Sequence, residues 1–144
     1  MYENFYVGPP TYFVVKEGYP MSDATTQNRI CSSIGCSPDS LTEQIFAATR
    51  VRDKSRIATS AMSWIDDYID WLASSSCCVT DSKGNFCTHN DTFSKSDCDR
   101  PCMTGYRPDP ETFRKFIGNF LKSNPVDYCP KAGHAAYGQA VKVS

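Results

Sequence analysis

The chain has 144 residues, 22% charged side chains and a net charge of −1, a length that fits one domain burying roughly two-thirds of its unfolded surface. That charge excludes an overall electrostatic footprint for nucleic acid or an anionic membrane, and no apolar run approaches the roughly 20 residues of a membrane-spanning helix. Eight cysteines point to an oxidising compartment. Met1 is nevertheless followed by YENFYVGPP, with neither the basic start nor the apolar stretch of an export signal. The expectation is a luminal or extracellular piece of a larger protein, folded as a single domain over 1–144.

In chain order, Pro9-Pro10 favours an extended approach. TYFVVK, Thr11 to Lys16, is β-branched and aromatic and predicts a strand. Gly18 to Thr26 reads as a polar turn region. Cys31 and Cys36 then form a C-x₄-C unit whose Gly35 permits a tight reversal, and a local bridge is the simplest reading. Ser40 with Glu43 makes a capping box for a helix whose stripe is Leu41, Ile45 and Ala48, flanked by Phe46. Val51 to Lys54 is turn-like, and RIATSA, Arg56 to Ala61, predicts a short strand.

The segment SWIDDYIDWLASSSCC, Ser63 to Cys78, organises the rest. At helical spacing, Trp64, Ile65, Tyr68, Ile69, Trp71 and Leu72 share one face and Asp66, Asp67 and Asp70 the other. Ser63 and Asp66 make a second capping box. The adjacent Cys77 and Cys78 must reach two different places. From Cys78 to Cys102 the composition is polar, so this loop is held by its cysteines (78, 87, 98 and 102) rather than by burial. Asn90-Asp91-Thr92 is a glycosylation sequon. Asp109-Pro110-Glu111 starts a third helix with Phe113, Phe116, Ile117, Phe120 and Leu121 on one face, stopped by Asn124-Pro125. Tyr137, Gln139, Val141 and Val143 alternate as a closing strand. The mixture predicts an α+β fold, with helices on one face of a small sheet and a disulfide-crosslinked loop excursion.

Chemistry is hard to find in this pattern. The three aspartates could do acid–base work, but a polar face opposite a core face is what an amphipathic helix normally carries, and the solvated-face reading is preferred. Structural zinc wants paired C-x₂₋₄-C knuckles; only Cys31/Cys36 and Cys98/Cys102 come near, and neither His89 nor His134 has partner spacing. There is no G-x-S-x-G, C-x-x-C or phosphate-binding glycine loop. Nothing in these residues demands an enzyme, and the cysteines favour disulfides over a metal site. Tyr2, Phe5, Tyr6, Tyr12, Tyr19 and Tyr106 lie outside the helical core faces, as scattered surface aromatics or as a contact surface for other domains.

GPPTYFVVKEGY, QNRICSSIGCSPDSLTEQIFAATR, SWIDDYIDWLASSSCC and GHAAYGQAV together resemble the C-terminal, cysteine-rich luminal domain of the Niemann–Pick type C family of large membrane sterol transporters. The resemblance covers nearly the whole chain and weakens between Val79 and Asp109. It implies a multi-pass parent protein with three luminal domains in late endosomes and lysosomes (the vacuole in fungi). In that family the first luminal domain takes sterol from a soluble carrier docked on the middle one, and the domain resembled here pairs with the middle domain. The resemblance further implies a ferredoxin-like α+β sandwich, no enzymatic activity and no cofactor. It carries over the bridges Cys31–Cys36, Cys77–Cys129, Cys78–Cys102 and Cys87–Cys98. The leading reading is thus a non-catalytic luminal domain of a sterol transporter, attached to a membrane only through its parent chain. The alternatives are a free-standing secreted lipid-binding module, against which stands the missing C-x-C after the CC pair, and a hydrolase using Asp66, Asp67 or Asp70.

Overall fold

A computed structural model of the chain describes residues 10–88 and 96–143. The helices are α1 (Ala24–Asn28), α2 (Leu41–Thr49), α3 (Arg52–Ser55), α4 (Trp64–Ala73), α5 (Pro110–Lys122) and α6 (His134–Tyr137), with a two-stranded antiparallel sheet of β1 (Val79–Thr80) and β2 (Arg100–Pro101). The fold is α+β and disulfide-rich. Among the described residues no helix is long and apolar enough to cross a membrane.

The core is the seam between α4 and α5. Ser63 caps α4 by accepting from the Asp66 N–H at 3.5 Å, and Asp109 caps α5 by accepting from the Thr112 N–H at 2.8 Å, with Pro110 in the first turn. Ile65, Tyr68, Ile69, Trp71 and Leu72 are buried against Phe113, Phe116, Ile117, Phe120 and Leu121. Tyr68 lies edge-on to Phe113 with centroids 4.9 Å apart and tilted on Phe120 at 5.0 Å; Trp71 meets Phe120 at 5.6 Å. Such offset and edge contacts add about 0.5–1.5 kcal/mol per pair beyond area burial. The Tyr68 hydroxyl donates to the Phe113 carbonyl at 2.6 Å, so its one polar atom is not left unpaired in the core.

Four disulfides close the chain around this seam: Cys31–Cys36, Cys77–Cys129, Cys78–Cys102 and Cys87–Cys98. These are the pairs the resemblance carries over. Cys77 and Cys78 do reach two places. Beyond Cys129, the Gly133 N–H donates to the Phe120 carbonyl and the His134 N–H to the Ser123 carbonyl, both at 3.0 Å, which satisfies carbonyls that the end of α5 leaves open.

The strands are not where the composition placed them. Residues 11–16, 56–61 and 137–143 form no ladder. A β-rich segment becomes a strand only beside a partner, because its N–H and C=O groups must be paired. Residues 10–16 run without regular structure, with Tyr12 81% and Val14 82% exposed. They do not cover the α4 and α5 faces, which cover each other. Arg56, in left-handed backbone at φ 66°, ends α3, and beyond the half-buried Ile57 residues 58–61 are small and exposed, with nothing to bury. The first half of 137–143 winds into α6 and turns. The sheet forms instead in the polar loop, where the Cys78–Cys102 bridge holds 79–80 beside 100–101 and removes most of the closure entropy. Val79 pairs with Pro101 and Thr80 with Arg100, proline being tolerated on an edge strand.

Two turn-like readings are also corrected. Within Gly18 to Thr26 and beyond, Ala24–Asn28 is helical, and Arg52–Ser55 makes a single helical turn. In α2 the fully buried side chains are Thr42 and Ile45, not Leu41 and Ala48, because the Thr42 hydroxyl turns inward and donates to the Ile30 carbonyl at 2.5 Å.

Candidate functional site: the acidic face of the central helix

The aspartates of α4 are only partly a solvated face: Asp70 is exposed, but all three tie other parts of the chain to the helix. Asp66, half-buried, accepts the Ser32 N–H at 3.0 and 3.3 Å as well as meeting the side chain of its own N-cap, Ser63. Burial raises its pKa, opposed in part by that backbone hydrogen bond. Asp67 accepts the Tyr137 hydroxyl at 2.6 Å and lies 3.6 Å from the Lys131 ammonium, which also contacts Asp70. The Lys131 pKa is raised, chiefly by Asp70, and the Tyr137 pKa by burial and then by Asp67. The polar face of α4 thus holds the 31–36 loop on one side and the 129–137 segment on the other. Each of the three carboxylates is engaged by a hydrogen bond or ion pair within the chain, whereas an acid–base pair faces its substrate across a gap.

The 31–36 loop has a second clamp. Arg107 enters from the segment before α5 and donates to the Gln27 side-chain carbonyl at 3.3 Å and the Ile34 carbonyl at 3.0 Å. It also donates to the sulfurs of Cys31 and Cys36 at 3.1 and 3.0 Å. Gln27 is fully buried and in turn donates to the Met21 carbonyl at 2.9 Å. Burial lowers the Arg107 pKa, and the attraction of Asp66 counteracts this. Sequence reasoning passed over Arg107, since a lone arginine between Tyr106 and Pro108 carries no motif.

A metal could in principle find ligands here, because the two sulfurs and an Asp66 carboxylate oxygen lie within 4.8 Å of one another. The sulfurs, however, are bonded to each other and therefore lack the thiolate charge zinc needs, and Arg107 already occupies the cation position. The other near-knuckle, Cys98 and Cys102, is divided between two bridges. His134 is exposed, its Nδ1 3.1 Å from the Leu121 carbonyl oxygen. Asn90 and His89 lie outside the described residues, as do Tyr2, Phe5 and Tyr6. Of the other surface aromatics, Tyr12, Tyr19 and Tyr106 are all exposed.

An open depression of about 310 Å³ is lined by Thr80, Gly84, Pro101, Lys115, Glu111 and Phe116 among others. Its walls are mixed and largely polar, unlike the enclosed apolar pocket that holds a small lipid.

No protein-family model matches the chain. It is 42% identical over 142 residues to NPC intracellular cholesterol transporter 1 of Sus scrofa, covering 96% of this chain and 11% of that protein. The chain is homologous to one segment of the NPC1 family. NPC intracellular cholesterol transporter 1 homolog 1b of Drosophila melanogaster is 42% identical over 94% of the chain, and human NPC1-like intracellular cholesterol transporter 1 is 40% identical over 97%. The chain spans about a tenth of the length of these NPC1-family relatives, 11% in each case. Those relatives carry transporter names, not enzyme names.

Proposed function

We propose that the chain is one luminal domain of a multi-pass intracellular sterol transporter, and that it acts without chemistry of its own. It works by contact with neighbouring luminal domains, the middle one first, during sterol export from late endosomes and lysosomes. The sterol-binding N-terminal domain and a soluble luminal carrier are its indirect partners. The observation that carries this reading is the match of almost the whole chain to a small segment of proteins named as cholesterol transporters. The engagement of all three α4 aspartates in crosslinks supports a scaffold over a catalyst. Ile34, Tyr106, Tyr12 and Val14, all exposed, give the scaffold apolar surface of the kind partners cover. The sequon at Asn90 is proposed to carry a glycan when the chain is secreted from eukaryotic cells; glycosidase digestion that leaves mobility unchanged would refute that part.

The test is a chimera in which residues 10–143 replace the matching segment of the Sus scrofa relative, expressed in cells lacking that relative. Clearance of sterol from late endosomes, read by a sterol-binding fluorophore, is the expected result. A chimera that folds and reaches the same compartment but clears nothing contradicts the proposal.

A further inference from the structure

The guanidinium of Arg107 is the feature the proposed function does not use. Its Nη2 donates to both sulfurs of Cys31–Cys36, and the Ser33 N–H donates to Cys36 Sγ as well, at 3.0 Å. A neutral disulfide gains little from such donors. A thiolate gains a great deal, since charge-assisted hydrogen bonds are about twice as strong as neutral ones and a neighbouring cation lowers a thiol pKa. We infer that Cys31–Cys36 is a thiol–disulfide exchange site, opened by a dithiol reductant and stabilised in its reduced form by Arg107.

The two sulfurs differ in access. Cys31 is fully buried, whereas Cys36 is partly exposed at the end of an exposed loop, Ser32 to Gly35. Gly35 stands at φ 88°, which keeps that loop tight. A thiolate of the dithiol therefore attacks Cys36 Sγ; the S–S bond breaks and its electron pair leaves on Cys31 Sγ, where Nη2 already points. The second thiol of the same dithiol, once deprotonated, attacks its own sulfur in the mixed disulfide. That closes the oxidised dithiol and releases the Cys36 thiolate to the Ser33 N–H and Arg107. Two electrons pass to the protein sulfurs, and the dithiol's two protons go to solvent or to the new thiolates.

Among the described residues, the charged groups Arg107 and Asp66 face the sulfurs. Arg107 favours the thiolates by direct donation, and Asp66, with a carboxylate oxygen within 4.8 Å, opposes them. The Asp66 charge is partly spent on the Ser32 N–H and on Arg107 itself. Opening this bridge leaves the α4–α5 seam intact, because it closes a loop of only five residues' separation. By contrast Cys78–Cys102 is buried at both ends, so a reductant reaches it only after larger opening. Cys77–Cys129, like Cys31–Cys36, joins a half-exposed sulfur to a buried one, and what Cys31–Cys36 has in addition is the Arg107 guanidinium on both sulfurs.

The experiment is a limiting dithiothreitol pulse on the folded chain at neutral pH, followed by rapid alkylation and peptide mapping. Cys31 and Cys36 should be modified about tenfold faster or more than Cys77, Cys129, Cys78 and Cys102. In the wild-type chain reduced at this bridge alone, alkylation of the pair should be half-maximal below about pH 8.5, the value of an unperturbed thiol. Arg107→Gln should move that midpoint upward. Simultaneous modification of all the bridges, or a wild-type midpoint at or above the unperturbed value, overturns the inference. The wild-type measurements decide it even where Arg107→Gln fails to fold.

Discussion

Gly133 shows how one residue sets the spacing of the core. A Cβ built there would lie 2.6 and 2.7 Å from carbons of the Phe120 ring, itself fully buried. Its backbone, φ −93° and ψ −2°, is open to any residue, so the requirement is steric. Gly133→Ala would gain about 0.4–1 kcal/mol by restricting the unfolded chain, but overpacking costs about 1–3 kcal/mol. Net destabilisation by about 1–2 kcal/mol is expected in a denaturant titration. Gly118 is the control: a Cβ there meets nothing within 4 Å, and Gly118→Ala inside α5 should stabilise by about 0.5–1 kcal/mol. Asp66 carries a pH signature. Its folded pKa is raised, chiefly by burial, so the folded state binds the proton more readily. Its contribution to stability is present below its ordinary value of 3.8 and is lost as pH rises through the folded value. Asp66→Asn should remove that slope from the stability–pH curve just above 3.8; an unchanged slope contradicts this assignment.

At the scale of elements, the α4–α5 seam and the long bridges decide stability together. Phe120→Ala removes the ring that Tyr68, Trp71 and Tyr137 all meet, and a loss of about 3–5 kcal/mol is expected in the same titration. Cys77→Ala with Cys129→Ala opens a bridge of sequence separation 52, worth about 3–4 kcal/mol in the chain-entropy model. An unchanged unfolding midpoint in that variant would show the bridge to be dispensable. The helices of this seam were legible because their signals are local: Ser63 and Asp109 cap, Pro110 follows, and the apolar residues recur at helical spacing. The strands were not, because TYFVVK states a preference while pairing needs a neighbour. Val79–Thr80 acquires its neighbour from a cysteine 24 positions away. The same blindness hid the α4 crosslinks. Asp66, Asp67 and Asp70 read as solvent-facing because Ser32, Tyr137 and Lys131, which meet them, are 34, 70 and 61 or more positions distant.

For the molecule as a whole, the proposed residence in an acidic lumen asks that the fold survive near pH 5. Asp109, held below the usual carboxylate range by the Thr112 hydrogen bonds, loses its contribution only as pH falls through that lowered value, and Asp66 moves the other way. Lys131, with a raised pKa, loses its contribution only on the alkaline side. Thermal unfolding should therefore shift little between pH 7 and about pH 5, and a collapse by tens of degrees would reveal a titrating group outside this set. As proposed above, the domain serves as a sterol-free contact module, with the large apolar residues of α4 and α5 packed against each other. Equilibrium binding of radiolabelled cholesterol to the purified chain tests it most directly. The account predicts no saturable binding; saturable, sub-micromolar binding at one site per chain would contradict it and favour a lipid-carrying module.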